Sequence, residues 1–196
     1  TYGDKHLTTA LQDSGGKAVF VKELQQALLN NDADFAVHSI KDMSVFPTEG
    51  LTLAAINERA AANDALVSLR YNSLKELPPN AIIGTSSPRR QSQIKALLPQ
   101  CQTLLCRGNV NSRLSKLQKQ EYDAIILAEA GLIRLGLADQ ITTILSADDF
   151  IPAIGQGAVG IECRADDKKT QACIVPLNHT ATACCVTAER EVNRYL

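Results

Sequence analysis

The most chemically informative stretch of the sequence is Gly-Thr-Ser-Ser-Pro-Arg-Arg at residues 84–90. Ser87 is predicted to cap a helix that begins at Pro88, since these are favoured residues for those two positions. The free N–H groups and the dipole of a helix start attract anions, and Arg89 and Arg90 add two guanidinium groups suited to carboxylate or phosphate. We interpret the stretch as an anion site; the alternative is a capped helix with solvated arginines.

Two further arginines flank the next predicted strand and helix. Arg107 follows the apolar run at 103–106, and Arg113 lies in the first helical turn after it, where acidic residues are preferred. Ligands of open α/β sheets bind beyond the carboxyl ends of the strands. Four arginines from two strand ends would together suit a ligand with several carboxylates. The alternative is a surface loop whose arginines face solvent.

His38-Ser39-Ile40-Lys41-Asp42 ends the strand predicted at 34–40. A carboxylate and an ammonium group at a strand end could hold a polar substrate and move a proton. We interpret His38 as a satisfied, half-buried histidine. No Gly-x-Ser-x-Gly elbow surrounds Ser39, which disfavours a serine nucleophile. For Lys41 and Asp42, a plain surface ion pair is an equal alternative.

Strands alternate with helices along the chain. Apolar runs predict strands at 34–40, 51–56, 64–69, 81–87, 103–106, 122–128 and 158–163. Helical spacing predicts helices at 17–30, 88–98, 111–120 and 184–196. This order predicts an α/β fold with mostly parallel sheets. Crossings near 57–63 and 152–157 would divide it into two lobes around a cleft, a preferred place for ligands.

The composition excludes several classes of protein. The 196 residues include 20 Lys plus Arg and 21 Asp plus Glu, so the chain is not a globally basic nucleic-acid binder. The low aromatic content of 4% also disfavours binding of nucleic acid through stacked bases. The sequence contains no apolar run long enough for a membrane span, and its start does not resemble a signal peptide. The six cysteines lack metal-site spacing. We therefore expect a cytoplasmic protein with reduced thiols and no metal.

Taken in order, these motifs resemble those of the porphobilinogen deaminases, also called hydroxymethylbilane synthases. The resemblance rests on the segments at 17–24, 36–42, 84–90, 107–114, 121–128, 155–158 and 187–190, and it covers nearly the whole chain. It implies two lobes like those of periplasmic binding proteins and the start of a third, α+β domain. The first lobe would comprise residues 1–57 and 158–178, the second 58–157, and the third domain would begin at 179–196.

The resemblance also implies an activity. The family's members are transferases of porphyrin and haem biosynthesis that join four porphobilinogen molecules into the linear tetrapyrrole hydroxymethylbilane. A covalently attached dipyrromethane cofactor primes the growing polypyrrole chain. Each porphobilinogen carries an acetate and a propionate, which agrees with the arginines described above. A monomer is implied as well, and the composition described above disfavours membrane and nucleic acid as partners.

The site residues follow by position in these motifs. Asp42 matches the family's catalytic aspartate, whose carboxylate can stabilise positive charge near the pyrrole nitrogens. The arginines implied to bind carboxylates are Arg89, Arg90, Arg107 and Arg113. The other residues implied to lie at the cleft are Ser39, Lys41, Ser86 and Ser87, with Lys17 in a loop that covers it and Gln156 in the second crossing.

The sequence departs from the family pattern in several places. Ser44 stands where proline is common, and Ala18 stands where glycine is usual. An N-terminal strand with further arginines is absent, and the cysteine that carries the cofactor is expected shortly after Leu196. We therefore assign none of the six cysteines to the cofactor and expect the 196 residues alone to be inactive.

A two-lobed binding module for a small polycarboxylate is the alternative function. It also explains the arginines and the cleft, but it has no need for Lys41-Asp42 at a strand end.

Overall fold

Eight strands and six α-helices alternate along residues 18–195, the part of the chain that the computed structural model describes. The strands are β1 (Phe35–Ser39), β2 (Leu51–Ile56), β3 (Asp64–Val67), β4 (Ile82–Gly84), β5 (Gln102–Leu104), β6 (Ala124–Ala128), β7 (Thr143–Leu145) and β8 (Val159–Arg164). The helices are α1 (Ala18–Leu29), α2 (Pro88–Leu97), α3 (Val110–Gln118), α4 (Glu129–Arg134), α5 (Lys168–Ile174) and α6 (Thr180–Tyr195).

The chain divides into two compact units. Residues up to Ala60 and from Ile154 onward form unit 1, and Ala61–Ala153 form unit 2. Both divisions fall inside the predicted crossings at 57–63 and 152–157. Helix α6 belongs to unit 1, where Val186 packs against Ile56 of β2. The lobe boundaries drawn from the resemblance, and a separate third domain from residue 179, stay predictions.

Unit 2 contains a five-stranded sheet with the order β5-β4-β6-β3-β7. Strand β4 runs parallel to β5 and β6, whereas β3 runs antiparallel to β6 and β7. Both faces of the sheet are covered: Ile94 of α2 packs in the cluster with Ile126, and Leu114 of α3 packs in the other cluster with Ile125. Strand β6 is therefore a continuous apolar run, as a strand buried on both faces requires.

Unit 1 contains a three-stranded sheet with the order β1-β8-β2, and both pairs are antiparallel. Side chains alternate between the two faces. Helix α1 contributes Leu28 to the cluster with Ala36 on one face, and α5 contributes Ile174 to the cluster with Ile161 and Cys163 on the other. The predicted parallel pairs are thus found in unit 2, whereas both pairs of unit 1 are antiparallel, because β8 lies between β1 and β2 and runs opposite to both.

Most predicted elements are confirmed to within a few residues, including the strand at 51–56 and the helix from Pro88. Strand β7 and helix α5 were not predicted. Strand β7 has three residues with one buried, and α5 has seven with one buried, so neither leaves a clear periodic pattern. Among the described residues, no helix is long and apolar enough to cross a bilayer.

Candidate functional site

The predicted arginines gather at one edge of the sheet in unit 2. The parallel strands β4, β5 and β6 all end there. Strand β3 runs in the opposite direction, so its first residue, Asp64, lies at the same edge, paired with Ala128 at the end of β6. We call this region the arginine edge and define it by Asp64, the segment 85–90 and the segment 107–113. It is the edge at which ligands of open α/β sheets bind.

Helix α2 starts at the arginine edge as the sequence predicts. Ser87 is the N-cap in an extended conformation, and Pro88 is the first helical residue. The Ser87 side chain makes no capping hydrogen bond; its backbone N–H donates to the Thr85 hydroxyl at 3.2 Å. Ser86 and Ser87 are both half-buried. The helix start therefore presents two hydroxyl groups beside its N–H groups.

Arg89 and Arg90 both bind Asp64, a carboxylate that is fully buried (0% exposed). Arg90 donates from Nη2 to Oδ1 at 2.7 Å and from Nε to the same oxygen at 3.2 Å, and its Nη1 donates to the Ile126 carbonyl at 2.8 Å. Arg89 donates from Nη2 to Oδ2 at 2.7 Å and from Nη1 to the Ile151 carbonyl. One carboxylate therefore orients two guanidinium groups.

Burial and these contacts together set the pKa of Asp64 and of Arg89. Burial alone would raise the pKa of Asp64, but the charges and hydrogen bonds of Arg90 and Arg89 outweigh it and hold that pKa below its ordinary value. Burial lowers the pKa of Arg89, and Asp64 opposes the shift. The side chain of Arg89 is 24% exposed and that of Arg90 8%. Arg89 thus keeps access to solvent that Arg90 largely lacks.

Helix α3 also begins at the arginine edge. Asn109 caps it through a hydrogen bond from the Ser112 N–H to Oδ1 at 2.8 Å. Gly108 precedes it with φ of 111° and lies where a Cβ would be 2.9 Å from the Ser112 side chain, so a larger residue would not fit. Arg113 donates from Nε to the Gly108 carbonyl at 2.7 Å. The loop and Arg113 therefore hold each other in place.

Arg107 differs from the other three arginines. Its side chain is half-buried, and its Nε and Nη2 atoms are buried without a hydrogen-bond partner among the described residues. Leaving a buried charged donor unsatisfied costs on the order of 1–3 kcal/mol or more. A carboxylate oxygen is the kind of acceptor that would satisfy both atoms at once. Within the arginine edge, Arg107 is thus the residue whose unsatisfied donors point most directly to a bound anion.

Asp42 lies in unit 1, in a single 3₁₀ turn (Ile40–Asp42) that directly follows β1. Ile40 anchors this turn: it is 1% exposed, and its N–H donates to the Ala158 carbonyl at 3.1 Å. Two glycines make room for it, because a Cβ on Gly155 would lie 2.3 Å and one on Gly160 2.4 Å from Ile40 carbon atoms. Ser39 is exposed, and Lys41 and Asp42 are half-buried.

His38 is a histidine whose ring has a hydrogen-bond partner, as predicted, although the residue is buried and not half-buried. Its Nε2 lies 3.0 Å from Oε2 of Glu162, which is itself buried. The Gln25 amide donates to both oxygens of Glu162, at 3.0 and 3.2 Å. The His38 side chain is thereby committed to Glu162, and a partnership with Ser39 is not formed.

Gln156 lies in the second crossing and is 1% exposed. Arg59, in the first crossing, donates from Nε to its carbonyl at 2.9 Å and forms an ion pair with Glu189 of α6. Glu189 also accepts from the Gly155 N–H at 2.8 Å. Burial alone would raise the pKa of Glu189, but Arg59 and Gly155 lower it overall. Both crossings are therefore tied to α6.

Lys17, the remaining predicted site residue, lies outside the described residues. Sequence reasoning assigned no site role to Asp64, Arg59, Glu162 and Glu189, which hold the functional groups in place. Two of them had a signal: Asp64 is an acidic residue at the start of an apolar run, and Glu189 lies in the family-like segment 187–190.

All six cysteines are free; Cys106 and Cys163 are buried, and burial raises the pKa of both. No group of three metal-ligating side chains occurs in the part of the chain that the structure describes.

The fold is that of the two-lobed periplasmic binding proteins. A periplasmic substrate-binding protein of an ABC transporter from Coxiella burnetii superposes with a TM-score of 0.51 at 14% identity, covering 84% of this chain and 79% of that one. A YaeC-family lipoprotein from Enterococcus faecalis V583 gives 0.50 at 14% identity, with 85% and 80% covered. The predicted fold class is confirmed.

The sequence itself assigns the family. Residues 1–172 match the family described as "Porphobilinogen deaminase, dipyromethane cofactor binding domain". The chain belongs to this family, which confirms the membership predicted from the motifs. The matched domain is the one that binds the dipyrromethane cofactor.

Proposed function

We propose that the chain carries the binding and acid–base groups of a hydroxymethylbilane synthase, a transferase of tetrapyrrole biosynthesis. In each step the aminomethyl C–N bond of porphobilinogen breaks and ammonia leaves. The methylene carbon then bonds to a free pyrrole carbon of the growing chain, and that carbon gives up its proton. Four porphobilinogen molecules and one water give hydroxymethylbilane and four ammonia molecules. The proposal rests on family membership and on the arginine edge.

The observation that carries the proposal is Arg107, whose buried Nε and Nη2 have no acceptor among the described residues. Porphobilinogen and the dipyrromethane cofactor both bear carboxylates, so the residues present fit these groups. Arg107 would take a carboxylate through two donors, and Arg89 would take another through its exposed side. Arg113, Ser86 and Ser87 would complete the contacts. When bound, the cofactor supplies the pyrrole carbon to which the first substrate is joined.

The acid–base group would be the carboxylate of Asp42. The turn Ile40–Asp42 is held by the buried Ile40, so the Asp42 carboxylate has a defined position. A carboxylate stabilises the positive charge that develops on a pyrrole ring as ammonia leaves, and it can then accept the proton that the attacked carbon releases. Lys41 and Ser39, in the same segment, would hold polar groups of the substrate.

The test is turnover of porphobilinogen in the full-length protein with Asp42→Asn, Arg107→Gln and the control Arg70→Gln. Arg70 is an exposed arginine of unit 2 that pairs with Asp123, away from the arginine edge. Asp42→Asn keeps the shape of the side chain and should lower turnover about 10²–10⁴-fold. Arg107→Gln should weaken substrate binding by about 2–5 kcal/mol, with thermal stability retained. Arg70→Gln should behave as wild type.

Normal turnover in both Asp42→Asn and Arg107→Gln would overturn the proposal. A second function, binding of a polycarboxylate without chemistry, draws on the fold shared with a periplasmic substrate-binding protein. Calorimetry with porphobilinogen separates the two functions. Saturable binding without ammonia release in the full-length wild type would favour the binding module.

The resemblance also supports a cytoplasmic monomer whose cofactor is attached to a cysteine outside these 196 residues. Light scattering of the purified protein tests whether it is a monomer, and fractionation of the cells that produce it tests the cytoplasmic location. Intact-mass measurement tests where the cofactor is attached.

A further inference from the structure

The segment 187–190 matches the family pattern, but the proposed function gives it no role. It lies in α6, which belongs to unit 1 together with Asp42. Two adjacent residues of this segment, Glu189 and Arg190, bear on the two ends of the turn that contains Asp42. Arg190 contacts Ser44, two positions after Asp42, and Glu189 contacts Gly155, whose backbone packs against Ile40, two positions before Asp42.

On the later side, Arg190 donates from Nη2 to the Ser44 carbonyl at 2.6 Å. Arg194, one helical turn further on, donates from Nη2 to the Val45 carbonyl at 3.0 Å. The Phe46 N–H donates to the Ser44 hydroxyl at 3.1 Å, which turns the segment back on itself. The chain that leaves Asp42 is therefore tied to α6 through backbone carbonyls.

On the earlier side, Glu189 accepts a hydrogen bond from the Gly155 N–H at 2.8 Å. Gly155 has φ of 64°, and a Cβ there would lie 2.3 Å from Cγ2 of Ile40, so its backbone is in direct contact with that side chain. Arg59 forms an ion pair with Glu189 and holds its carboxylate. Glu189 thus fixes the loop against which Ile40 packs.

The turn between these two anchors is short, since only Lys41 to Met43 separate Ile40 from Ser44. We expect a displacement of either anchor to move the Asp42 carboxylate, because only three residues lie between the two anchors. Misplacing a catalytic group by about 1 Å can lower the rate about 10²-fold. The positions of Ile40 and Ser44 therefore bear on the chemistry and not only on folding.

We propose that Glu189 and Arg190 are positioning residues that set the Asp42 carboxylate for catalysis. This inference rests on the proposed function, in which Asp42 acts on the substrate. Neither residue needs to touch the substrate; Arg190 acts through the Ser44 carbonyl, and Glu189 acts through Gly155, which packs against Ile40.

The experiment compares Arg190→Gln, Arg190→Lys and Glu189→Gln in the full-length enzyme. The control is Arg164→Gln, because Arg164 is another arginine of unit 1 that donates to backbone carbonyls, those of Leu28 at 3.0 Å and Ala33 at 2.7 Å. The readouts are kcat per folded molecule, KM for porphobilinogen, and the melting temperature.

Arg190→Gln and Glu189→Gln should lower kcat about 10–100-fold and leave KM within about twofold. Arg190→Lys should recover part of kcat, because an ammonium group can still donate to the Ser44 carbonyl. Arg164→Gln should lower the melting temperature and leave kcat unchanged. If Arg190→Gln does not fold, the kcat of Arg190→Lys and of Glu189→Gln decides the matter.

Wild-type kcat in the folded Arg190 and Glu189 variants would overturn the inference, as would a fall in kcat of the same size in Arg164→Gln. Asp42→Asn separates this failure from that of the proposed function. If Asp42→Asn loses turnover while the α6 variants keep it, only the positioning role fails. If Asp42→Asn keeps turnover, the proposed function loses its acid–base group.

Discussion

The change Asp64→Asn tests the central contact of the arginine edge. It preserves the shape of a fully buried side chain but removes the negative charge that Arg89 and Arg90 share. Since both guanidinium groups stay positive, the variant places two like charges beside a neutral amide. We expect it to be strongly destabilising, although Asp64 contacts no substrate in the proposed function.

The magnitude follows from burial. Removing one partner of a buried ion pair costs about 3–5 kcal/mol, because it leaves an uncompensated charge. The side chain of Arg90 is 8% exposed and cannot recover hydration, whereas that of Arg89 is 24% exposed and can recover part of it. We therefore expect the free energy of unfolding to fall by about 3 kcal/mol. In a chain of this length that lowers the melting temperature by roughly 6–12 °C.

The pH dependence has a definite sign. The pKa of Asp64 in the folded state lies below its ordinary value, so its contribution to stability is full above the unfolded-state pKa of about 3.9. That contribution is lost as the pH falls through the lower, folded-state pKa. The difference in melting temperature between wild type and Asp64→Asn should be constant near neutral pH and should narrow below about pH 4.

Thermal unfolding by circular dichroism between pH 3 and pH 7 measures both effects. The matched control is Asp34→Asn, because Asp34 also pairs with an arginine, Arg164 at 3.5 Å, but its side chain is 81% exposed. Exposed pairs contribute about 0–1 kcal/mol, so this variant should stay close to wild type. The reasoning is refuted if the two variants melt within a few degrees of each other at pH 7.

Three further predictions concern other parts of the structure. Gly155→Ala should destabilise unit 1 by about 1–3 kcal/mol in denaturant unfolding, because its Cβ would overlap Ile40; an unchanged midpoint would contradict the packing. Tyr122→Phe should lower the free energy of unfolding by about 0.5–1.5 kcal/mol, because it removes the hydrogen bond that the Tyr122 hydroxyl donates to the Leu105 carbonyl at 2.8 Å. Burial, and after it the neighbouring Cys106, raises the pKa of Tyr122 to about 12, above its value of about 10 in the unfolded chain. The free energy of unfolding of wild type should therefore fall as the pH rises from about 10 through 12. Tyr122→Phe should show no such fall from this group. The 196 residues produced in the presence of porphobilinogen should keep their unmodified mass, and a dipyrromethane increment would contradict the proposed attachment outside them.

Much of the fold was predictable because local signals agreed with burial. The run at 124–128 is apolar throughout because α-helices cover both faces of its sheet. The helix start at Ser87 and Pro88 follows from the backbone chemistry of those two residues. Strand direction was harder, since β8 pairs antiparallel with β1 and β2 from more than a hundred residues away. No local pattern encodes that pairing.

The candidate site was predictable by residue type but not by partner. The sequence marks Arg89 and Arg90 as two cations at a helix start, and nothing local shows that both turn toward Asp64, about 25 residues earlier. The same holds for Glu189 and Arg190, which reach loops more than thirty residues away. Partnerships of this kind depend on the packing of elements, which composition and spacing do not contain.

The partners in turn divide the arginines by what each can offer a ligand. The three nitrogens of Arg90 donate to Asp64 and to the Ile126 carbonyl, so all three already have acceptors within the protein. Arg89 shares Asp64 but keeps an exposed side. Arg107 has two buried donors with no acceptor among the described residues. A carboxylate ligand gains the most binding free energy from donors that are buried and have no acceptor, because folding has already removed their hydration. Substitution by Gln should therefore weaken ligand binding most at Arg107, less at Arg89, and at Arg90 chiefly through stability.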